Sequence, residues 1–212
     1  MAKYWIFDFD GTLVDSEGPI RKCYQKTTMS IAPSKIKKAK QIIIGPTLAE
    51  TTKLILGKEN DLYQNKFMEM FKKQYDEKFL FETKPYAGVL NTLTELIKRG
   101  DKLAIATNKR KEPTFKLITR YGWSNFFQWI GCTNEMNEEI KNKNKLVAFF
   151  IKNNPLFTNA YFVGDTKNDA KAAKTNNLKF IKVNFGYGEK QNWTNIDIHD
   201  SINNFKEIVN IN

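Results

Sequence analysis

The sequence predicts an α/β protein, in which helices cover both faces of a parallel β-sheet and a small all-helical domain is inserted after the first strand. Over most of the 212 residues, short apolar segments alternate with amphipathic helical patterns. This alternation is typical of βαβ units, which build parallel sheets. One long interval, from about Pro19 to Glu82, carries helical periodicity without a convincing strand.

The strands and helices of the core follow in order along the chain. Five segments have the length and composition of buried strands. They are residues 3–9, 102–106, 127–131, 160–163 and 179–183. Four amphipathic segments predict the helices of the core, at residues 89–99, 113–121, 143–153 and 168–175.

The interval after the first strand predicts a second domain. Helical patterns cover residues 20–31, 48–56 and 61–79, and the turn residues Gly45, Pro46 and Gly57 separate them. We therefore expect a core domain made of residues 1–17 and 83–212 and a helical domain made of residues 18–82.

Composition excludes several classes of protein. Hydrophobic residues at 41% can fill a core, and no apolar run approaches the ~20 residues that a membrane helix needs. The first nine residues lack a signal-peptide pattern, so we expect a cytoplasmic protein with no membrane partner. Two cysteines far apart in sequence, Cys23 and Cys132, predict neither a disulfide framework nor a zinc site.

The net charge of +11 has three interpretations: nucleic-acid binding, attraction of anionic substrates, or a lysine-rich overall composition. The lysines are scattered along the chain, except in the segment SKIKKAK at residues 34–40. Scattered charge favours the compositional interpretation, with a minor part for substrate attraction. We therefore expect no nucleic-acid polymer as a partner.

Two aspartates close the first predicted strand, in the stretch YWIFDFDGTLVDS. Asp8 and Asp10 are one residue apart, and Gly11 allows a sharp turn directly after them. Both carboxylates can therefore point into one crevice. A buried, unpaired carboxylate is costly, so a compensating charge is expected beside the pair.

Two further pairs of polar residues follow other predicted strands. Thr107 and Asn108 precede a helix, where a hydroxyl and free backbone N–H groups suit a phosphate, although either residue can simply cap the helix. Asp165 and Asp169 follow the strand that ends at Gly164, and here helix capping is again the alternative.

The basic run KNKNK at residues 141–145 offers a counter-charge. Lys143 is in register with the apolar face of the next helix, whereas Lys141 and Lys145 fit that face less well. Since open α/β sheets bind ligands at the carboxyl ends of their strands, all these groups are expected to converge. A site of oxygen ligands favours Mg²⁺ over zinc.

Four motifs resemble those of the haloacid dehalogenase superfamily. They are DFDGTLVDS at residues 8–16, IATN at residues 105–108, the lysine at Lys143, and VGDTKNDAKAA at residues 163–173. The segments IGPTLAETTKLIL and FGYG resemble phosphoglycolate-phosphatase-like and 5′-nucleotidase-like members. The resemblance implies a Rossmann-like core, with the insertion as a helical cap of the first type (C1).

For the catalytic groups, the resemblance implies that Asp8 is the nucleophile. Asp10 would be the general acid and base and would offer its backbone carbonyl to Mg²⁺. Thr107 and the backbone amide of Asn108 would hold the transferring phosphoryl group, and Lys143 would neutralise negative charge.

For the metal and the substrate, the resemblance implies that Asp165 is a ligand and that Asp169 is either a ligand or its support. A turn that contains Thr47 would lie over the crevice and face the leaving group. The implied activity is Mg²⁺-dependent hydrolysis of a small phosphorylated metabolite by a monomer or homodimer. The alternatives are a phosphomutase of the β-phosphoglucomutase type and a non-catalytic phosphate-binding module on the same fold.

Overall fold

The chain folds into two units, and the computed structural model describes residues 2–57, 61–133, 140, 142–189 and 191–211. The core unit contains Met1–Asp15 and Pro85–Asn212, and the helical unit contains Ser16–Lys84. Within the core unit, the backbone N–H of Tyr86 donates to the carbonyl of Leu13 at 3.1 Å. The chain therefore leaves the core unit and returns to it at adjacent points.

The strands are β1 Tyr4–Phe7, β2 Val14–Asp15, β3 Lys84–Pro85, β4 Lys102–Thr107, β5 Phe127–Cys132, β6 Tyr161–Gly164, β7 Lys179–Val183 and β8 Asp200–Ile202. The helices are α1 Glu17–Ile31, α2 Ile36–Lys40, α3 Leu48–Leu56, α4 Asp61–Gln74, α5 Val89–Lys98, α6 Lys111–Arg120, α7 Lys143–Asn153 and α8 Lys167–Thr175. Short 3₁₀ turns cover Pro33–Lys35, Leu80–Glu82, Pro155–Phe157 and Phe205–Asn210, and a π-helical turn covers Tyr75–Phe79.

A six-stranded sheet with the order β5-β4-β1-β6-β7-β8 forms the centre of the core unit. Every neighbouring pair in this sheet is parallel. The strand order reverses direction at β1, so its carboxyl end lies at the kind of switch point where open α/β sheets bind ligands. The predicted fold class, a Rossmann-like α/β sheet, is confirmed.

Both faces of the sheet are covered, as the pattern of β1 requires. Ile6 belongs to one buried cluster with apolar residues of α7 and α8. Phe7 points to the opposite face, where its ring lies 5.8 Å from that of Phe205. A strand that is buried on both sides reads as a continuous apolar run, and this is the pattern of β1.

The observed elements differ from the predicted ones at their ends and at one sheet edge, and the short elements β2, β3 and α2 were not predicted. β1 is shorter than the predicted 3–9, because Asp8 and Phe9 already belong to the loop that follows it. The edge strand β8 was not predicted, because two of its three residues, Asp200 and Ser201, are exposed and polar. Only its pairing with β7 makes this segment a strand.

Aromatic rings of α1, α4 and the π-helical turn pack against one another inside the helical unit. The ring of Phe71 lies 4.3 Å from Tyr24 and 5.6 Å from Tyr75. All three side chains are buried. Among the described residues, no helix has the length and apolar character needed to cross a membrane.

Candidate active site

The loop after β1 fixes the first aspartate of the site. The backbone N–H of Asp8 donates to the carbonyl of Val163 in β6 at 2.9 Å, which ties the start of the loop to the neighbouring strand. Its side chain is buried. The chain then turns back on itself, because the N–H groups of Leu13 and Val14 both donate to the carbonyl of Phe9.

Gly11 allows this loop to approach Asp165 closely. Its φ of 87° lies in the left-handed region, which favours glycine. A Cβ at this position would also lie 2.4 Å from an oxygen of Asp165. Both the backbone angle and the available space therefore require glycine here.

Lys143 connects two of the buried carboxylates. Its Nζ lies 2.8 Å from Oδ1 of Asp8 and 2.5 Å from Oδ1 of Asp169. Lys143 is the first residue of α7 and is only 4% exposed, as its register with the apolar face of that helix predicts. Lys145 is exposed, and Lys141 lies outside the described residues. Of the two described candidates, the structure therefore brings Lys143 to the carboxylates.

Asp165 and Asp169 are fully buried beside Asp8, and each is held by further contacts. Asp165 accepts a hydrogen bond from the backbone N–H of Tyr187 at 2.6 Å. Asp169, in the first turn of α8, accepts from the backbone N–H and the hydroxyl of Thr166 at 2.9 and 2.6 Å. The helix-capping interpretation of Asp169 is therefore correct, and its other oxygen contacts Lys143 in addition.

The pKa values of this cluster reflect its shared negative charge. Burial, followed by repulsion from Asp169, raises the pKa of Asp8 to about 7 even though Lys143 opposes the rise. Burial and repulsion from Asp169 and Asp8 also raise the pKa of Asp165 well above its ordinary value. For Lys143, burial lowers the pKa, but attraction to Asp169 and Asp8 outweighs this effect and raises it.

Asp10 is held by a lysine that the sequence analysis did not assign to the site. The Nζ of Lys109 donates to both carboxylate oxygens of Asp10, at 2.9 and 3.1 Å. Lys109 is 9% exposed, which is unusual for a lysine. Hydrophobic periodicity could not predict the burial of Lys109, because this residue lies in the loop between β4 and α6.

The phosphate-binding residues expected at the end of β4 lie in the same loop. Thr107 is buried, and its hydroxyl accepts a hydrogen bond from the backbone N–H of Lys109 at 3.1 Å. Asn108, between them, is half-buried. Thr107 therefore starts a tight polar turn at the carboxyl end of β4, the strand next to β1.

Thr47 belongs to the helical unit, where it begins α3. Its hydroxyl accepts from the backbone N–H of Glu50, and its own backbone N–H donates to the Glu50 carboxylate at 2.8 Å. This reciprocal arrangement is a capping box. Thr47 thus has a structural role, and its contact with a leaving group stays a prediction.

The charges of the core site fit a divalent cation. Ligand oxygens of Asp8, Asp165 and Asp169 lie within 4.8 Å of one another. Among the described residues, the site brings together six charged side chains, and when all are ionised the four carboxylates and two ammonium groups leave a net charge of −2. They are Asp8, Asp10, Asp165, Asp169, Lys109 and Lys143. Because all the expected ligand atoms are oxygens, a hard cation suits this site.

The chain is similar to known proteins over most of its length. The family model for haloacid dehalogenase-like hydrolases matches residues 5–183. The chain belongs to this family. Its sequence is 28% identical over 187 residues to a phosphoglycolate phosphatase from Aquifex aeolicus, with 86% of this chain and 84% of that protein covered. A phosphoglycolate phosphatase from Agrobacterium fabrum is 26% identical, with 86% and 80% covered.

Solved structures show the same fold. A haloacid dehalogenase-like family hydrolase from Streptococcus pneumoniae superposes with a TM-score of 0.81 at 20% identity, covering 99% of this chain and 97% of that one. CbbY from Rhodobacter sphaeroides, solved in complex with phosphate, gives a TM-score of 0.77 at 17% identity, covering 98% and 96%. The prediction of an enzyme of this family, a hydrolase of the phosphatase kind, is confirmed.

Proposed function

We propose that this enzyme is a Mg²⁺-dependent phosphatase that hydrolyses a small phosphate monoester through an aspartyl-phosphate at Asp8. The contact between Asp8 and Lys143 at the carboxyl end of the central strand carries the proposal. The ammonium group of Lys143 lies beside the nucleophilic carboxylate and can also contact the phosphate of the substrate. The carboxylates of Asp165 and Asp169 complete a buried anionic site.

In the first half-reaction, an oxygen of Asp8 bonds to phosphorus while the bond from phosphorus to the ester oxygen breaks. Asp10 gives a proton to the departing alkoxide. The Thr107 hydroxyl and the backbone amide of Asn108 hold the phosphoryl oxygens in line for attack. Lys143 stabilises the charge that develops on these oxygens.

In the second half-reaction, water attacks the phosphorus of the aspartyl-phosphate. Asp10, now a carboxylate, takes a proton from this water, and the bond between phosphorus and the Asp8 oxygen breaks. Inorganic phosphate and the original carboxylate result. A covalent intermediate divides one slow displacement into two easier steps.

Asp8, Asp165 and the backbone carbonyl of Asp10 would hold the metal ion. Asp169 is better suited to support, because Lys143 and Thr166 already occupy its two oxygens. When bound, Mg²⁺ supplies positive charge to the transferring phosphoryl group and neutralises the carboxylates. The metal and Lys143 thus divide the work of charge stabilisation.

The helical unit would act as a cap that selects the leaving group. The chain leaves the core directly after the loop that carries Asp8 and Asp10. The points where it leaves and returns are adjacent, near Leu13 and Tyr86. The leaving groups that we expect such a cap to select are small ones, such as glycolate, a sugar or a nucleoside. Phosphoglycolate is the first candidate, since the Aquifex and Agrobacterium relatives carry that name.

A panel of phosphorylated metabolites tests the proposal. Phosphoglycolate, nucleoside monophosphates, sugar phosphates and pyrophosphate are each incubated with enzyme and Mg²⁺, and released phosphate is measured. We expect release from at least one small monoester, loss of release with a chelator, and recovery on adding Mg²⁺. Rapid quenching with labelled substrate should trap a phosphoenzyme that Asp8→Asn does not form.

The panel also separates the alternatives. A phosphomutase would convert a sugar phosphate into its isomer with little release of phosphate. A non-catalytic module would bind phosphate without any turnover. Either result would overturn the proposed hydrolysis.

A further inference from the structure

Lys109 has the surroundings of a functional lysine. Removing a lysine from water is costly unless an opposite charge compensates it. The side chain of Lys109 is 5% exposed and contacts a carboxylate that is itself only 15% exposed. By contrast Lys111, two residues further along, is exposed.

The backbone fixes the origin of the Lys109 side chain. Its N–H donates to the hydroxyl of Thr107, so Lys109 is tied to the residue expected to hold the phosphoryl group. β4 and β1 are parallel neighbours, with Ile105 beside Phe7. The side chain therefore crosses from the end of β4 to the loop after β1, which carries Asp10.

We propose that Lys109 is a positioning residue, which holds the Asp10 side chain in the orientation needed for its proton transfers. Two hydrogen bonds from one ammonium group restrict a side chain that would otherwise rotate about both of its torsions. A misplacement of about 1 Å in a reacting group can cost roughly 100-fold in rate. This inference rests on the proposed function, in which Asp10 donates a proton to the alkoxide and later accepts one from water.

The test compares Lys109→Met with Lys111→Met, an exposed lysine of the same segment. We expect Lys109→Met to lower kcat for an alkyl phosphate by roughly 10- to 100-fold with KM nearly unchanged, because positioning affects proton transfer and not binding. Lys111→Met should behave as wild type. Lys109→Arg retains charge and paired donors and should recover part of the loss.

A substrate with an acidic leaving group, p-nitrophenyl phosphate, separates positioning from a general structural role. Its leaving group needs no proton, so the burst that forms the phosphoenzyme should keep its wild-type rate in Lys109→Met. Hydrolysis of the phosphoenzyme still needs Asp10 and should slow, so phosphoenzyme should accumulate. An equal slowing of both steps would overturn the inference.

A double-mutant cycle with Asp10→Asn gives a second measurement. If Lys109 acts through Asp10, Lys109→Met should cause no further loss in the Asp10→Asn background. Full additivity of the two losses would overturn the inference even if Lys109→Met alone were poorly stable. If Asp8→Asn kept its activity, the proposed function itself would fail, whereas an inactive Asp8→Asn with a fully active Lys109→Met would remove only the role of Lys109.

Discussion

Two lysines serve the aspartates of the core site in different ways. Lys143 contacts two carboxylates from different elements, Asp8 after β1 and Asp169 in α8. Lys109 contacts both oxygens of one carboxylate, Asp10, which is the more exposed of the loop's two aspartates. In the proposed reaction, Lys143 thus contacts the nucleophile and a supporting carboxylate, whereas Lys109 holds the group that exchanges a proton.

This difference divides the proposed site into two parts. The Lys143 cluster (Lys143, Asp8, Asp165 and Asp169) acts on the phosphoryl group, which every monoester shares. The Lys109 pair (Lys109 and Asp10) acts on the leaving group and on water. Changes in the cluster should therefore affect all substrates alike, while changes in the pair should depend on the basicity of the leaving group.

The largest effect is expected in the cluster, from Asp8→Asn. Removing the nucleophile should lower turnover on the order of 10⁴-fold or more for every substrate. Asparagine has nearly the same shape, so the fold should persist, which a denaturant unfolding curve checks. Activity within about tenfold of wild type would exclude Asp8 as the nucleophile, because covalent catalysis would then be dispensable.

The next effect is expected from Lys143→Ala. Loss of an oriented charge at the transferring oxygens costs on the order of 10²–10³ in rate. The matched control is Lys145→Ala, which removes an exposed lysine from the same helical turn and should leave kcat/KM unchanged. Lys141→Ala extends the comparison, and a larger loss there than at Lys143 would contradict the assignment.

The two lysines also differ in how far the sequence could predict them. Lys143 lies in a helix, so its register with Leu146 and Val147 places it on the buried face. Lys109 lies in a loop, where no period relates it to a buried face. Its contact with Asp10 depends on the neighbouring positions of β4 and β1, which only the folded sheet defines.

The same reasoning explains the other results of the sequence analysis. The parallel sheet and the convergence of the aspartates could be predicted because apolar runs that end in polar residues are a local feature of the sequence. The N–H of Tyr187 that holds Asp165 comes from a loop 22 residues further along the chain. Backbone donors carry no sequence signature of their own. The glycines at 186 and 188 do mark a place where this loop approaches the backbone and side chain of Asp165 closely.

A third effect, on stability, concerns the raised pKa values of the cluster. Burial raises the pKa of Asp8 from the ordinary 3.8 to about 7, so between these values the folded protein binds more protons than the unfolded one. By linkage, the free energy of unfolding of the metal-free protein should fall as the pH rises from about 4 to about 7. The loss should be a few kcal/mol at most. Denaturant unfolding in a chelator, at several pH values, measures it.

Mg²⁺ and the Asp8→Asn variant serve as controls for this prediction. Added Mg²⁺ should reduce the loss, because a cation stabilises the ionised carboxylates. Metal-free Asp8→Asn should be more stable than metal-free wild type near neutral pH, since one buried charge has been removed. Equal free energies of unfolding of the two proteins at that pH would contradict a destabilising negative charge on Asp8.

The smallest effect is expected at Thr47, in the helical unit. Thr47→Ala removes the capping box of α3 and should lower the free energy of unfolding by about 1 kcal/mol, while Thr47→Ser should retain most of it. Thr47→Trp loses the same cap but adds a large side chain. Thr47→Ala is therefore the matched control that separates the lost cap from the added bulk.

If the turn at Thr47 faces the leaving group, Thr47→Trp should lower kcat/KM below that of Thr47→Ala, and the difference should grow with the size of the leaving group. This pattern differs from both lysines, because Lys143→Ala should act on all substrates alike and Lys109→Met should follow leaving-group basicity instead of size. Steady-state kinetics over esters that vary size at constant basicity, and basicity at constant size, distinguish the three. Identical kinetics of Thr47→Trp and Thr47→Ala with every ester would leave Thr47 as the cap of α3 alone, and selection of the leaving group would then have to come from other residues.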